Sequence, residues 1–411
     1  MTEVLKAYKF RIYPDQEQQT KLNQTFGCVR FVWNALTANF NAYGTDAYVE
    51  RLTEKKLKEN NDFLSEVSST ALQQKNRDFV ETAKQFFNKT RKTKIGRMKL
   101  KKKNSSRESF RLPDTTRFKL NQETKTIRLE KIGFVPVVLD RAIPTDADYR
   151  SVTVSKTPTG KYFVSVLVKI NVDLLPSTGK SVGIDLGLKD LFIFSNGDVV
   201  NNPRWYRESQ SKLAKAQRHL SRKQKGSKRY EKQRIKVAKV HEKITNQRKH
   251  FLHRMSSALV REFDFIFSED LNVDGMRKTM NLGKSVSDAG WGEFIRQLEY
   301  KSQWYGKTFF KIDRFYASSQ ICSSCGHKDG KKDLNVREWT CSNCGTHHDR
   351  DLNAATNVLL KGYSDMTGLS VNDSSAELVD HKRGEDVRLS GRLDRHIAAS
   401  VKRLDKSIDL S

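Results

Sequence analysis

Three acidic residues stand where separate secondary-structure elements would bring them together for metal-dependent chemistry. Asp185 ends the apolar run 182–184, and Glu269 ends a run in which Phe263, Phe265 and Phe267 alternate with other residues. Asp351 stands in the first turn of a predicted helix. Carboxylates are ligands that Mg²⁺ prefers, and two such ions can stabilise both the attacking water and the leaving oxygen in phosphodiester hydrolysis. The pattern therefore predicts a nuclease that uses Mg²⁺ or Mn²⁺, with two ions held by these three acids.

Each acid taken alone allows other interpretations. An aspartate at the end of a strand is about as often a cap or a turn former as a ligand. The string around Asp185, VGIDLG, is also similar to the phosphate loop of sugar kinases. Nothing downstream supplies a second phosphate loop or a nucleotide pocket, so the kinase interpretation is disfavoured.

A second metal site is predicted from the cysteines. Four of the five cysteines form two Cys-x-x-Cys pairs, Cys322 with Cys325 and Cys341 with Cys344, separated by 15 residues. Four thiolates at this spacing suit one tetrahedral, structural Zn²⁺, and a rubredoxin-like iron site is the alternative. The nearby histidines 327, 347 and 348 are interpreted as neighbours of the metal and not as ligands. Cys28, among apolar residues, is interpreted as a buried structural thiol.

The charge of the chain indicates a polyanionic partner. Lys and Arg number 76 against 48 Asp and Glu, which gives a net charge of +28. Nucleic acid is the leading candidate, and an anionic membrane surface is the rival. No stretch approaches the ~18 consecutive apolar residues of a membrane-spanning helix, and the first residues lack the apolar region of a signal peptide. We therefore expect a cytoplasmic, nucleoid-associated protein without a membrane partner.

The elements that would carry these residues divide into two regions. Residues 1–178 are predicted to form a β-barrel from a strand at 6–13 and strands between about 117 and 170, with helices at about 14–100 inserted into it. A basic segment, 89–111, is interpreted as a mobile loop, or as a solvated linker that binds nothing. Small and turn-forming residues before 179 place a boundary there.

The second region, 179–364, is predicted to be an α/β domain that presents the three acids. A zinc-binding ribbon at 318–346 is inserted in it. Residues 212–249 hold 15 Lys or Arg and two acids, with Gly226 dividing a helical hairpin. Residues 365–411 contain no aromatic residue and mix charges without periodicity, so we predict a disordered tail.

Several strings carry a resemblance to a known family. They are YKFRIYP at 8–14, VGIDLG at 182–187, EDL at 269–271, SDAGWG at 287–292, the two cysteine pairs, and DRDLNAA at 349–355. The resemblance runs from about residue 6 to 363. The chain resembles TnpB, the transposon-encoded nuclease family related to type V CRISPR effectors.

The resemblance implies an RNase H-like (RuvC) nuclease fold with a zinc ribbon, guided by an RNA from the transposon end. Such a protein cuts double-stranded DNA beside a short target-adjacent motif read by its N-terminal half. The family's metal-binding acids map onto Asp185, Glu269 and Asp351, and its zinc ligands map onto the four paired cysteines. Gln73 matches a position implicated in reading the motif. Arg350 is a candidate for contact with the scissile phosphate, or equally for a salt bridge at the helix start.

Two rival functions remain open at this level. One is a nuclease-silent, RNA-guided DNA-binding repressor, and the other is a transposase that joins DNA strands. The sequence does not name the guide, the motif or a protein partner.

Overall fold

A computed structural model of the chain describes residues 1–43, 52–87, 98–103, 108–279, 283–333 and 335–368. The tail predicted to be disordered lies outside the described residues from 369 onward, as do 89–97 and 104–107 of the predicted basic loop. The chain divides into two compact units. The first takes in Glu3–Val172 and Ala216–Glu242, and the second takes in Asp173–Lys215 and Lys243–Ser411.

The first unit is built on a seven-stranded sheet in the order β2-β6-β7-β1-β5-β4-β3. Residues along β7 alternate between buried and half-buried, which is the two-residue period of a strand with one face on the core. Closure of this sheet into a barrel remains a prediction. The strands are β1 (Thr2–Ile12), β2 (Glu108–Leu112), β3 (Phe118–Asn121), β4 (Thr126–Leu129), β5 (Gly133–Val138), β6 (Asp148–Lys156) and β7 (Tyr162–Val172).

Three helices lie between β1 and β2 in the chain: α1 (Gln16–Tyr43), α2 (Glu54–Glu59) and α3 (Ser69–Phe87). Asp15 begins α1 with a reciprocal cap, because its carboxylate accepts from the Gln18 N–H at 2.8 Å and its own N–H donates to the Gln18 side chain at 3.1 Å. The predicted basic loop is shorter than expected, because residues 108–112 form β2 against β6.

The second unit contains a five-stranded sheet in the order β10-β9-β8-β11-β12. The β10–β9 and β9–β8 pairs are antiparallel, whereas β8–β11 and β11–β12 are parallel. The strands are β8 (Ser181–Asp185), β9 (Asp190–Phe194), β10 (Val199–Asn201), β11 (Phe265–Glu269) and β12 (Thr308–Ile312).

The helices that follow these strands are α4 (Trp205–Ser221), α5 (Lys228–Glu262), α6 (Val273–Thr279), α7 (Gly283–Ala289), α8 (Trp291–Tyr305) and α9 (Arg350–Thr367). A short hairpin of β13 (Glu338–Thr340) and β14 (His347–Asp349) precedes α9. Gly226 turns the chain between α4 and α5 with a positive φ of 87°. No helix among the described residues is both long and apolar enough to cross a membrane.

Helix α9 lies directly against β8 and β11 because two glycines allow it. A Cβ at Gly183, in β8, would clash with the Ala355 carbonyl oxygen of α9. A Cβ at Gly362, in α9, would clash with the Phe267 ring of β11. Val358 of α9 is fully buried in the same core cluster. These contacts fix the start of α9 relative to the two strands.

The opposite end of β11 is anchored by a buried ion pair. Asp264 precedes β11 and is hydrogen-bonded by the Lys307 ammonium, the Ser177 hydroxyl at 2.5 Å and the N–H groups of Thr178 and Gly179 at 2.8 and 2.7 Å. Lys307 also donates to the Pro176 carbonyl at 2.7 Å. Both charges are therefore satisfied, which is the condition for burying them.

Candidate active site

The parallel register of β8 and β11 brings two of the predicted acids side by side. Ile184 pairs with Ser268, so the next residues along these strands are Asp185 and Glu269. Neighbouring strands run roughly 4.8 Å apart, and both strands end at the same edge of the sheet. The two carboxylates therefore leave adjacent strands at one edge.

The third acid reaches this edge from the first turn of α9. Asp349 caps the helix, because its carboxylate accepts from the N–H groups of Asp351 and Leu352 at 3.0 and 2.8 Å. The packing of α9 on β8 and β11 then sets the position of Asp351. Its carboxylate accepts from the Arg337 guanidinium at 3.0 Å.

The pKa of Asp185 reflects the closeness of the other two carboxylates. Burial, together with the nearby charges of Glu269 and Asp351, raises the pKa of Asp185 from 3.8 to about 8. Burial also raises the pKa of Glu269, partly offset by a hydrogen bond from Ser318. Clustered carboxylates with too little positive charge around them bind divalent cations, because the cation relieves their repulsion. The donor set, three carboxylates from three elements, fits Mg²⁺.

Two polar contacts at this centre were not foreseen from the sequence. The Ser318 hydroxyl, buried in a 3₁₀ turn at Ser318–Gln320, donates to the Glu269 carboxylate at 2.6 Å. Arg337 comes from the segment between the cysteine pairs to reach Asp351. Neither residue has a local signal, because each partner is distant in the sequence.

Arg350 and Gln73 lie in different units. Arg350 donates to the carbonyls of Asp333 at 2.6 Å and Val336 at 3.3 Å, and its charge lowers the pKa of Asp185. It is therefore held near the carboxylates by the chain before β13. Gln73 lies on the exposed side of α3 in the first unit.

The four paired cysteines form one cluster. Their Sγ atoms all lie within 4.8 Å of one another, with Cys322–Cys344 and Cys325–Cys341 each at 3.7 Å. This donor set could hold a structural metal such as zinc.

The two halves of the cluster have the same backbone geometry. The Cys322 N–H donates to the His327 carbonyl, and the Cys341 N–H donates to the Thr346 carbonyl, both at 2.9 Å. The glycines that follow Cys325 and Cys344 have positive φ angles of 75° and 73°. Such paired turns aim thiols and N–H groups at one point, as a tetrahedral metal site requires.

His348 lies beside this cluster. Its Nε2 is 3.0 Å from Cys322 Sγ, and its ring lies 4.8 Å from that of Trp339. It contacts the Cys322 sulfur, and its role as a neighbour of the metal stays a prediction. Within the described residues, the apolar cluster here consists of Cys322, Trp339 and Cys341, with Cys325 and Val336 packed against them. So small a core is typical of a segment that a metal stabilises.

The chain is similar to several known proteins and families. The model of the IS605 OrfB family, described as "Probable transposase", matches residues 165–280. The model described as "Cas12f1-like, TNB domain" matches 291–358. A Streptomyces pristinaespiralis protein described as "Putative RNA-guided DNA endonuclease" is 42% identical over 371 residues, covering 88% of this chain and 90% of that protein. The chain belongs to the TnpB family.

A second TnpB relative, InsQ of Escherichia coli K12, carries the same description and is 31% identical over 384 residues, 88% of this chain and 93% of its own length. A cryo-EM structure of a Cas12f1-sgRNA-target DNA complex aligns with 87% of this chain and 98% of that chain, with a TM-score of 0.47 and 13% identity.

A third family model, described as "Helix-turn-helix domain", matches residues 1–46 of this TnpB chain. The described part of that stretch is the strand β1 followed by the single 28-residue helix α1. Its architecture here is thus strand and helix, not two helices joined by a turn.

Proposed function

We propose that this TnpB protein is an RNA-guided, Mg²⁺-dependent DNA endonuclease of a transposon, which cuts double-stranded DNA next to a short target-adjacent motif. Asp185, Glu269 and Asp351 are the proposed catalytic residues and Mg²⁺ ligands. The observation that carries the proposal is the convergence of these carboxylates at one sheet edge, where burial and mutual repulsion raise the pKa of Asp185 to about 8.

The protein's own groups have separate tasks in this proposal. Asp185 and Glu269 present oxygens from adjacent strand ends, and Ser318 orients the Glu269 carboxylate through its hydrogen bond. Asp351 closes the site from α9. Two bound Mg²⁺ or Mn²⁺ ions would stabilise the attacking water and the leaving oxygen of the phosphodiester. The strand order, three antiparallel strands followed by two parallel ones, is the arrangement that we propose to be RNase H-like (RuvC).

We propose that Cys322, Cys325, Cys341 and Cys344 hold one Zn²⁺. The ribbon they would close contains Val336 and Arg337, and it lies next to the start of α9. Loss of the metal should therefore break the contact of Arg337 with Asp351. It should also break the hydrogen bonds of Arg350 with the backbone carbonyls of the ribbon. A structural metal would in this way support the nuclease centre. Arg350 is proposed to face the scissile phosphate when DNA is bound.

The guide and target are proposed on the strength of the relatives' descriptions and the net charge of +28. A guide RNA from the transposon end and double-stranded target DNA would be the partners. We propose that residues 1–178 form a domain that binds the RNA and the motif-containing duplex. Residues 179–364 would form the domain that cuts the DNA. Gln73, exposed on α3, is the proposed contact with the motif.

The test begins with the RNA that copurifies with the full-length chain. We expect one discrete RNA species that ends in a segment matching a DNA target. The RNA-containing complex should then cut a plasmid carrying that target beside the correct motif in Mg²⁺, and should leave a plasmid without the target intact.

The rival functions give different results in the same assay. A repressor would bind the target without cutting it in Mg²⁺ or Mn²⁺, and a DNA-joining transposase would yield strand-transfer products. If no discrete RNA species copurifies with the protein, the proposal that an RNA guides the reaction is wrong.

A further inference from the structure

A cavity of about 300 Å³ in the second unit lies outside the carboxylate centre. It is lined by Leu188 and Lys189 of the turn after β8, by Arg204 and Arg207 at the start of α4, and by Lys284 of α7. Four cations therefore surround one small opening. The acidic residue in the lining is Asp288.

Among the residues that the structure describes, Asp288 forms no ion pair with these four cations. Its side chain is buried, and both of its oxygens accept from the Tyr206 N–H at 3.1 and 3.0 Å. Arg248 lies 3.9 Å from the same carboxylate. Asp288 thus caps α4 from another helix, and the start of α4 is not itself the proposed binding group.

Three of the cations face the cavity without an acidic partner. Among the residues that the structure describes, 22 ion pairs occur, and none of them involves Arg204, Arg207 or Lys284. Lys189 has only a loose contact, 3.9 Å from Asp190. Unpaired like charges around one opening repel one another, so an anion in the cavity would be stabilised.

The backbone at Arg204 is held in a strained conformation at this place. Its φ is +48°, in the left-handed region that is unfavourable for a residue other than glycine. Its N–H donates to the Asn202 side chain at 3.1 Å, and the Asn202 amide donates to the Leu188 carbonyl at 3.0 Å. Asn202 therefore ties Arg204 to the turn that follows Asp185.

The same turn limits how far the cavity can lie from the nuclease centre. Lys189 is four residues beyond Asp185, so their Cα atoms are at most ~14 Å apart even if the chain is fully extended. The volume admits a phosphate with part of its nucleotide but not a duplex.

We infer that this cavity binds one backbone phosphate of the DNA strand that enters the nuclease centre, a few nucleotides from the bond that is cut. The inference rests on the proposed function for the identity of the strand. DNA is favoured over the guide RNA because the cavity is tied to the turn after Asp185. The site would hold the strand in register while the carboxylates act.

Binding to a single-stranded DNA oligonucleotide that does not match the guide tests the inference without catalysis. The full-length chain with its RNA is titrated in the absence of Mg²⁺ at several salt concentrations. For the triple variant Arg204→Gln, Arg207→Gln, Lys284→Gln, the salt slope of log K should fall by about 0.7, as expected for one lost phosphate contact on a single strand.

Two further variants separate binding from folding. Arg204→Gly removes a cation while relieving the positive φ, so it should fold at least as stably as the wild type and still bind DNA more weakly. Arg261→Gln removes an exposed cation at the opposite end of β11 and should leave the slope unchanged. An unchanged slope in the triple variant, or an equal change in Arg261→Gln, would overturn the inference. A salt slope that falls in the triple variant with a single-stranded RNA oligonucleotide, but not with the DNA oligonucleotide, would also overturn it.

Cleavage of modified target strands locates the phosphate. Each phosphate near the cut is replaced singly by an uncharged methylphosphonate. The wild type should be slowed at one position, and the triple variant should show no added loss there. If the methylphosphonate slows the triple variant as much as the wild type, the proposed phosphate site is wrong, whereas the proposed nuclease function is unaffected. If the wild type cuts no DNA but the salt slope still falls, the proposed nuclease function fails and the phosphate site stands.

Discussion

The two ends of β11 carry acids in opposite circumstances. Asp264, before the strand, receives four hydrogen bonds including one from Lys307. Burial alone would raise the pKa of Asp264, but these bonds outweigh it and lower the pKa. Glu269, at the other end, accepts from Ser318, and burial raises its pKa. The first acid is satisfied by the protein, whereas the second is left with capacity for a cation. Burial by itself therefore does not mark a functional acid, but incomplete compensation does.

The largest effect that separates the two ends is expected for Glu269→Gln. The variant keeps the side-chain shape but removes a charge from the proposed metal site. We expect the rate of DNA cleavage to fall by at least about a thousand-fold. The three carboxylates bind the metal ions as one group, so removing one of them should cost nearly as much as removing all three. Thermal unfolding should show no loss of stability. If Glu269→Gln unfolds at a lower temperature than the wild type, Glu269 also stabilises the fold, and the proposed difference between Glu269 and Asp264 is wrong.

Asp264→Asn should act on stability. Removing one partner leaves the buried Lys307 charge uncompensated, which costs about 3–5 kcal/mol. Chemical denaturation of the second unit measures this loss. Lys311→Met breaks the exposed pair of Lys311 with Glu299 and is the control, with an expected change below about 1 kcal/mol. Equal losses in both variants would show that the buried pair is not special.

Ser318→Ala should give an intermediate effect on the nuclease alone. Loss of a residue that orients a metal ligand typically costs about 10–100-fold in metal affinity or activity. We expect higher Mg²⁺ concentrations to restore part of the cleavage rate. Ser319→Ala, one residue along the same turn, is the matched control. A loss of cleavage that Mg²⁺ does not relieve would show that Ser318 acts otherwise.

A further effect is expected on the pH dependence of stability. The folded pKa of Asp185, about 8, lies above its unfolded value of about 3.9, so ionising Asp185 removes stability as pH rises through that interval. Without Mg²⁺, Asp185→Asn should therefore be more stable than the wild type at pH 8. The difference should shrink toward pH 4, where the acid is protonated in the folded state and about half protonated in the unfolded state. Thermal melts at both pH values measure it, and a constant difference would contradict the sign.

Sequence patterns predicted much of the carboxylate centre and the cysteine cluster, because each of their elements is encoded by residues that are close together in the sequence. An apolar strand ending in an acid predicted β8 with Asp185 and β11 with Glu269, and the cysteine spacing predicted one cluster. The Asp264–Lys307 pair was not predicted, because 43 residues separate its partners. Likewise, the place of β1 between β7 and β5 depends on pairings between distant segments. Such contacts leave no periodicity in the sequence.

The central claim is that the carboxylates at the edge of β8 and β11 cut DNA. The most direct measurement compares wild type and Asp185→Asn as RNA-containing complexes, with target binding and Mg²⁺-dependent cleavage followed on the same DNA. The account predicts equal binding and no cleavage by the variant. Cleavage by Asp185→Asn at the wild-type rate would contradict it.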